Sequence, residues 1–461
     1  MSSYEEWDRE GFREDHLGQT LRHAIERVPF YRELAAEGKL DPDDLESFPV
    51  VDASLLSERL QDFLVLDRFP DQVLVTGGTT GRPSLVFRSV DEYERMWERQ
   101  FGIQPGEMLP IERIQNFKIF ACDMTHGAYF DAPHGQPLLR LPFKQTLHAG
   151  IVKRFIEEGL RVDDRVLPAV SLEMEFLDLK LFTAYLLAEG VDPASSGIRK
   201  ITSYGYHTPR GWRERLAKTW GAEVSTFYGL SEFNLANMRE IDRETGFQIP
   251  MQVVPEIFAP DRSGPIPDGE EGDGVLVLTS LHPYIEIQPR IRYWTNDVVS
   301  RTGFNEDVGD VCYRYRGRKN LCVIVEDDGR YETILTATDV VDVVDEIDGV
   351  HRDDGYVADF CGGFYGGGWT RERLGYASGI PQFGFVVEEE NGEPVRVTVT
   401  VELAEAPDGG RAESIEAEVR EQLFEERPPL CDALHDHDVE LVIRAVGPGG
   451  IAEAGEEVVV V

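Results

Sequence analysis

Short apolar runs bounded by turn residues alternate along this chain with longer stretches whose apolar positions recur at helical spacing, the pattern of strands layered with helices. From about 4 to 65 the spacing is helical and carries RVPFYRELAAEGKLDPDDL, with DPDD as a helix start. From about 70 to 300, strand-type runs such as VLPAV and GVLVLTSL alternate with the helical HAGIVKRFIEEG, LDLKLFTAYLLAEG and TPRGWRERLAKTWG. PIPDGEEGDG at 265–274 is a loop of turn residues ahead of a buried strand. A boundary falls near Arg316–Asn320. Beyond it, helical TATDVVDVVDEIDG and ESIEAEVREQLFEE mix with strands VRVTVTVEL and HDVELVIRAV. The expected class is α/β, with a large multi-layer N-terminal domain over 1–316 and a small α+β C-terminal domain over 317–461.

At 461 residues, 41% of them hydrophobic, the chain has enough apolar material for two or three domains. Its charge narrows the partners. With 85 acidic against 46 basic side chains the formal net charge is -39, which argues against nucleic acid or an anionic membrane as a partner of the bulk surface. The acids are spread along the chain and lysine is scarce, which suits a surface kept soluble at high salt. Five scattered cysteines without a C-x-x-C pair suggest neither a disulfide framework nor a zinc ribbon. A charged N-terminus and the absence of a long apolar run point to a cytoplasmic protein.

Candidate chemistry concentrates in four segments. In VTGGTTGRPS, Gly77, Gly78 and Gly81 allow backbone amides to wrap an anion, Thr76, Thr79 and Thr80 add hydroxyls, and Arg82 adds a fixed positive charge. The flanking DQVLV and SLVFRS read as strands, so an ordinary hairpin loop is the plain alternative. In TFYGLSEF, Tyr228 can stack on a base, while Ser231 and Glu232 can hold Mg²⁺; a buried tyrosine and a solvated glutamate are the alternative. IQPRIRYWTNDVVS carries Asp297, which could accept from ribose hydroxyls or serve as a turn residue. YRYRGRKNLCVIV sets Arg318 beside a glycine, where a hinge could lie. CDALHDHD at 431–438 matches no zinc spacing and is expected on a loop, and CGGFYGGGW at 361–369 reads as a mobile loop.

The order of the Gly/Thr loop, YGLSE, RYWTND and GRKN resembles the adenylate-forming superfamily of acyl-CoA synthetases, nonribosomal adenylation domains and luciferase. RVPFYRELAAEGKLDPDDL, PIPDGEEGDGVLVLTSL and QPRIRYWTND are similar to its phenylacetate–CoA ligase branch. The resemblance implies ATP or AMP and Mg²⁺ as cofactors, coenzyme A as the usual thiol acceptor, and a small carboxylic acid, aromatic or otherwise apolar, as substrate. Thr76 through Arg82 would embrace the β- and γ-phosphates, Tyr228 would stack on adenine and Glu232 would bind Mg²⁺. Asp297 would hold the ribose, supported by Arg318, and the small C-terminal domain would be mobile. Three positions depart from the family. Glu456 follows Gly455 where a lysine is usual, no lysine occurs after Lys319, SYGYH at 203–207 replaces a Gly-Gly-Glu-like element, and Asn320-Leu321 replaces the hinge acid. These departures leave open a catalytically impaired nucleotide-binding or scaffold protein, or an enzyme of one half-reaction.

Self-repulsion of so acidic a chain reaches further as salt is withdrawn, the Debye length growing from about 3 Å at 1 M to about 30 Å at 0.01 M. The melting temperature should therefore fall as KCl is diluted. A flat or rising series of thermal melts would remove the argument for salt adaptation.

Overall fold

The computed structural model describes residues 8–65, 69–75, 85–101, 114–122, 138–233, 238–242, 245–267, 272–362, 368–377 and 379–460. They form two compact units, one from the described parts of 1–114 and 227–315, the other from 115–122, 138–226 and 316–460.

In the first unit, helix Arg9–Arg27 starts where the Asp8 carboxylate accepts from the Gly11 amide, and helix Pro29–Ala36 starts on Pro29, whose missing N–H costs nothing there. DPDD starts no α-helix. Asp44 caps only a single 3₁₀ turn, Leu45–Ser47, because Pro49 holds Phe48 extended and the Phe48 ring is buried. The apolar faces of these helices share a core with Leu276 and Leu278 of strand Asp273–Ser280. That strand is buried at every position, as its unbroken apolar run requires, and pairs antiparallel with Val253–Phe258 on one side and Tyr293–Asn305 on the other. The expected arms of the Gly/Thr loop are present: strands β1 (Gln72–Val75) and β2 (Leu85–Arg88) pair antiparallel, Val75 opposite Leu85.

The second unit has parallel strands Phe117–Cys122, Leu138–Pro142, Ala169–Glu175 and Lys200–Tyr204, with Glu223–Thr226 continuing the ladder. The three helical runs of the sequence appear as Thr146–Glu158, Phe176–Ala188 and Arg210–Trp220. From Arg316 onward, helix Ala337–Val344, opened by a Thr336/Asp339 capping box, packs with helix Gly409–Glu426 and strands Phe383–Glu390, Glu393–Glu402 and Glu440–Val446 around Val340, Val344, Val399 and Leu423. CDALHDHD is not a loop: Leu430–Asp436 is helical, because Leu430 and Leu434, one turn apart, both bury into that core. The glycine-rich segment after Cys361 begins in helix Gly355–Gly362, and its residues 363–367 lie outside those described. Among the described residues no group of three metal-capable side chains occurs, and no helix is long and apolar enough to cross a membrane.

Helix Phe176–Ala188 buries every residue from Leu179 to Leu186, Lys180 included, at 1% exposure. The Lys180 ammonium lies 4.2 Å from the Trp212 ring centroid. Burial lowers its pKa to about 7. Below pH 7 the amine is charged in both folded and unfolded chains, and the burial penalty is fully present. Between pH 7 and about 10 the folded amine is neutral while the unfolded one still binds its proton, so stability gains from this group as pH rises. Lys180→Met should therefore be more stable than wild type at pH 7, with the gap closing toward pH 10 in denaturant melts. A gap independent of pH would mean that Lys180 does not titrate in this range.

Candidate functional site

A break in one strand sets the geometry. Between Trp294, opposite Val277, and Val298, opposite Val275, strand Tyr293–Asn305 holds three residues where its partner holds one. Asn296 sits in the bulge at φ +65°, a left-handed conformation that asparagine tolerates better than most residues. Asn-Asp is thus a bulge inside a strand, not a turn between elements. The bulge is anchored by Thr295, whose hydroxyl donates to the Leu276 carbonyl at 2.7 Å and accepts from the Asp297 amide at 3.1 Å.

Asp297 is 1% exposed, and its Oδ2 accepts from the Tyr228 hydroxyl at 2.5 Å, a short charge-assisted bond. Tyr228 ends strand Glu223–Tyr228, and its half-buried ring stacks on Phe247 at 4.7 Å with Tyr315 at 5.5 Å. Four residues on, Glu232 occupies a tight turn closed by the Phe233 amide on the Leu230 carbonyl. One Glu232 carboxylate oxygen accepts from the Tyr293 hydroxyl at 3.2 Å. Burial, with the Glu232 charge second, raises the Tyr293 pKa well above its ordinary value, so the phenol remains the donor. Glu232 stays partly exposed. Its carboxylate is a hard oxygen donor of the kind Mg²⁺ takes.

Beneath this turn lie residues that no sequence motif singled out. Arg88, from β2, donates to the Glu232 carbonyl and to the Phe87 carbonyl. Gln288 accepts at one oxygen from the Phe87 amide at 3.1 Å and from Arg290 at 3.2 Å, while its amide nitrogen donates to the Leu85 carbonyl at 3.3 Å. Strand β2 is therefore fastened both to the Glu232 turn and to the QPRIRY segment. Glu92 adds a third tie: it closes a capping box with Ser89 at the start of helix Val90–Phe101 and also accepts from the Ile287 amide at 2.8 Å. FRSVDE beside the loop held the signal, a Ser-x-x-Glu cap directly after a strand.

The structure brings Tyr228, Glu232 and Asp297 together, with Ser231 partly exposed in the same turn. Thr76, Gly77, Gly78, Thr79, Thr80, Gly81 and Arg82 lie outside the described residues. Arg318 belongs to the second unit, where it closes strand Asp310–Arg318 and leads into the turn Lys319–Leu321. In the same unit Glu456, 11% exposed on its side chain, turns inward. Its carboxylate lies 3.9 Å from Arg444 and so close over Gly384 that a Cβ there would come within 2.5 Å of Oε2. The SYGYH segment is tied down by Ser203 and Thr208, whose hydroxyls meet at 2.9 Å, and by His207, 2.9 Å from Asp342.

No protein-family model matches the chain. A phenylacetate–coenzyme A ligase of Thermus thermophilus is 25% identical over 312 residues, covering 63% of this chain and 65% of the relative. One from Aromatoleum evansii is 27% identical over 305 residues, covering 62% and 64%. The chain thus spans just under two thirds of the length of these relatives. Among solved structures, 2-hydroxyisobutyryl-CoA ligase in an open conformation with 2-HIB-AMP and CoA superposes with a TM-score of 0.62 at 15% identity, over 95% of this chain and 88% of that one. The same ligase in its postadenylation state gives 0.60 at 16% identity, over 95% and 86%. The fold is shared with these ligases.

Removing the Tyr228 hydroxyl deprives a buried carboxylate of a short bond. Tyr228→Phe should lose about 1.5–3 kcal/mol of stability in urea unfolding. A variant as stable as wild type would mean that Asp297 is fully satisfied without Tyr228.

Proposed function

From the chain's membership of the adenylate-forming superfamily, we propose that it is an AMP-forming ligase that activates a carboxylic acid with ATP and passes the acyl group to a thiol such as coenzyme A. The observation that carries this reading is the convergence of Tyr228, Glu232 and Asp297 at the strand bulge. The names of the relatives favour an aromatic or otherwise apolar acid.

In this proposal Thr76 through Arg82 surround the β- and γ-phosphates, Tyr228 stacks on adenine, and Asp297 accepts from the ribose hydroxyls with Arg318 in support. Ser231 and Glu232 face the metal and phosphates, and the chain divides its work between 1–316 and 317–461. Mg²⁺ held at Glu232 would neutralise phosphate charge. A carboxylate oxygen attacks the α-phosphorus, the bond from that phosphorus to the bridging oxygen breaks, and pyrophosphate leaves with the electron pair. The thiol then attacks the acyl carbon and AMP departs. This chain's residues position the reactants and offset charge, without covalent participation.

One observation favours a second reading, an enzyme whose first half-reaction is weakened. Two anions must meet in that step, and where relatives of this superfamily place a lysine the chain has Glu456, turned onto Gly384 beside Arg444. Pyrophosphate release from ATP across a panel of carboxylic acids that includes phenylacetate, in molar KCl, tests both readings. Wild type should release it slowly, and Glu456→Lys roughly tenfold faster, a difference of about 1.4 kcal/mol in barrier. Given a preformed acyl-adenylate, wild type should still acylate coenzyme A. Rapid release by wild type would assign the lysine's task to another base, with Lys319 and Arg444 the first to examine. No release and no acyl transfer by either protein would leave a nucleotide-binding or scaffold role.

A further inference from the structure

Asp297 is sealed from solvent. The residue is 1% exposed, its Oδ1 is shielded, and its Oδ2 is taken by the Tyr228 hydroxyl at 2.5 Å. A ligand therefore reaches this carboxylate only if one of the two residues gives way. Asp297 is the fixed partner, because its amide donates to the Thr295 hydroxyl, which in turn is bound to the Leu276 carbonyl of a strand buried at every position. Tyr228 is the partner that can turn. Its backbone stays paired opposite Met238, but its side chain is half-buried at a strand end and its ring is held by stacking, on Phe247 at 4.7 Å and Tyr315 at 5.5 Å.

A phenol and a ribose hydroxyl are the same kind of donor to a carboxylate, so they compete for one buried acceptor. The exchange leaves the carboxylate hydrogen-bonded throughout, which a buried charge requires. Two sugar hydroxyls in place of one phenol gain a bond, whereas a single hydroxyl gains none. We propose that the Tyr228 hydroxyl is a placeholder on Asp297, a built-in competitor that yields the carboxylate only to a ligand bringing a sugar diol. This rests on the reading of Asp297 as the ribose acceptor.

Tyr228→Phe removes the hydroxyl and keeps a ring on which a base can stack. Calorimetry in molar KCl should find ATP and AMP each bound roughly tenfold tighter by the variant, since no phenol bond has to be given up. 2′,3′-Dideoxy-ATP makes no claim on the carboxylate and should bind both proteins alike. In wild type, 2′-deoxy-ATP should bind no better than the dideoxy analogue, and ATP better than either. A substitution that shifts all the ligands together would be merely structural and would overturn the inference. Unchanged or weaker ATP binding by a folded variant would also overturn it, with the ribose reading intact as long as ATP exceeds its dideoxy analogue. If the variant does not fold, wild type decides alone: equal steps in affinity from dideoxy-ATP to 2′-deoxy-ATP to ATP would mean that Asp297 accepts each hydroxyl without losing a bond, against the inference. ATP bound no better than dideoxy-ATP by every folded protein would remove Asp297 from the ribose and sink the reading and the inference together.

Discussion

The arrangement of the first unit hangs on the bulge between Trp294 and Val298. A regular strand pairs every residue with its neighbour, whereas residues 295–297 stand against Leu276 alone. The two extra residues leave the pairing on either side in the same alternation but free Asp297 from the ladder, and its carboxylate comes within 2.5 Å of the Tyr228 hydroxyl, while Tyr293, before the bulge, reaches Glu232. One backbone irregularity thereby links two segments that sequence order keeps some 70 residues apart. Its cost is one non-glycine residue at positive φ, and asparagine is among the least strained choices.

Charge is distributed in opposition to the overall composition. The chain as a whole is strongly acidic, but the interior next to Glu232 holds arginines. Arg292 is matched, forming a fork with Glu256 at 2.9 Å. Arg88 and Arg290 instead hydrogen-bond to carbonyls and to Gln288. The carbonyls offset part of the desolvation of the guanidiniums, and the nearby carboxylates of Glu92, fully buried, and Glu232 carry the opposing charge. The same bonds fasten β2 to the Glu232 turn and to the Gln288 segment.

In the second unit, close approach at a glycine does comparable work. Gly384 lets the Glu456 carboxylate lie flat against strand Phe383–Glu390, within reach of Arg444. A side chain on residue 384 would push the acid outward. The conformation of the C-terminal stretch therefore depends on a residue 72 positions earlier as much as on its own sequence.

Periodicity and turn chemistry determined the layered α/β class, the helices over 146–158, 176–188 and 210–220, and the arms of the Gly/Thr hairpin, because each is set by neighbours within a few residues. Motif order likewise placed Tyr228, Glu232 and Asp297 in one candidate site. Tertiary structure decided the rest. DPDD lost its helix to Pro49 and the burial of Phe48, and CDALHDHD gained one from Leu430 and Leu434 meeting a distant core. Nothing in the local sequence marks Arg88 or Arg290 for burial, and only the packing of β2 against the Glu232 turn and the Gln288 segment buries them. Local sequence encodes backbone preference, whereas desolvation of a charge depends on every element packed around it, which no window along the chain contains.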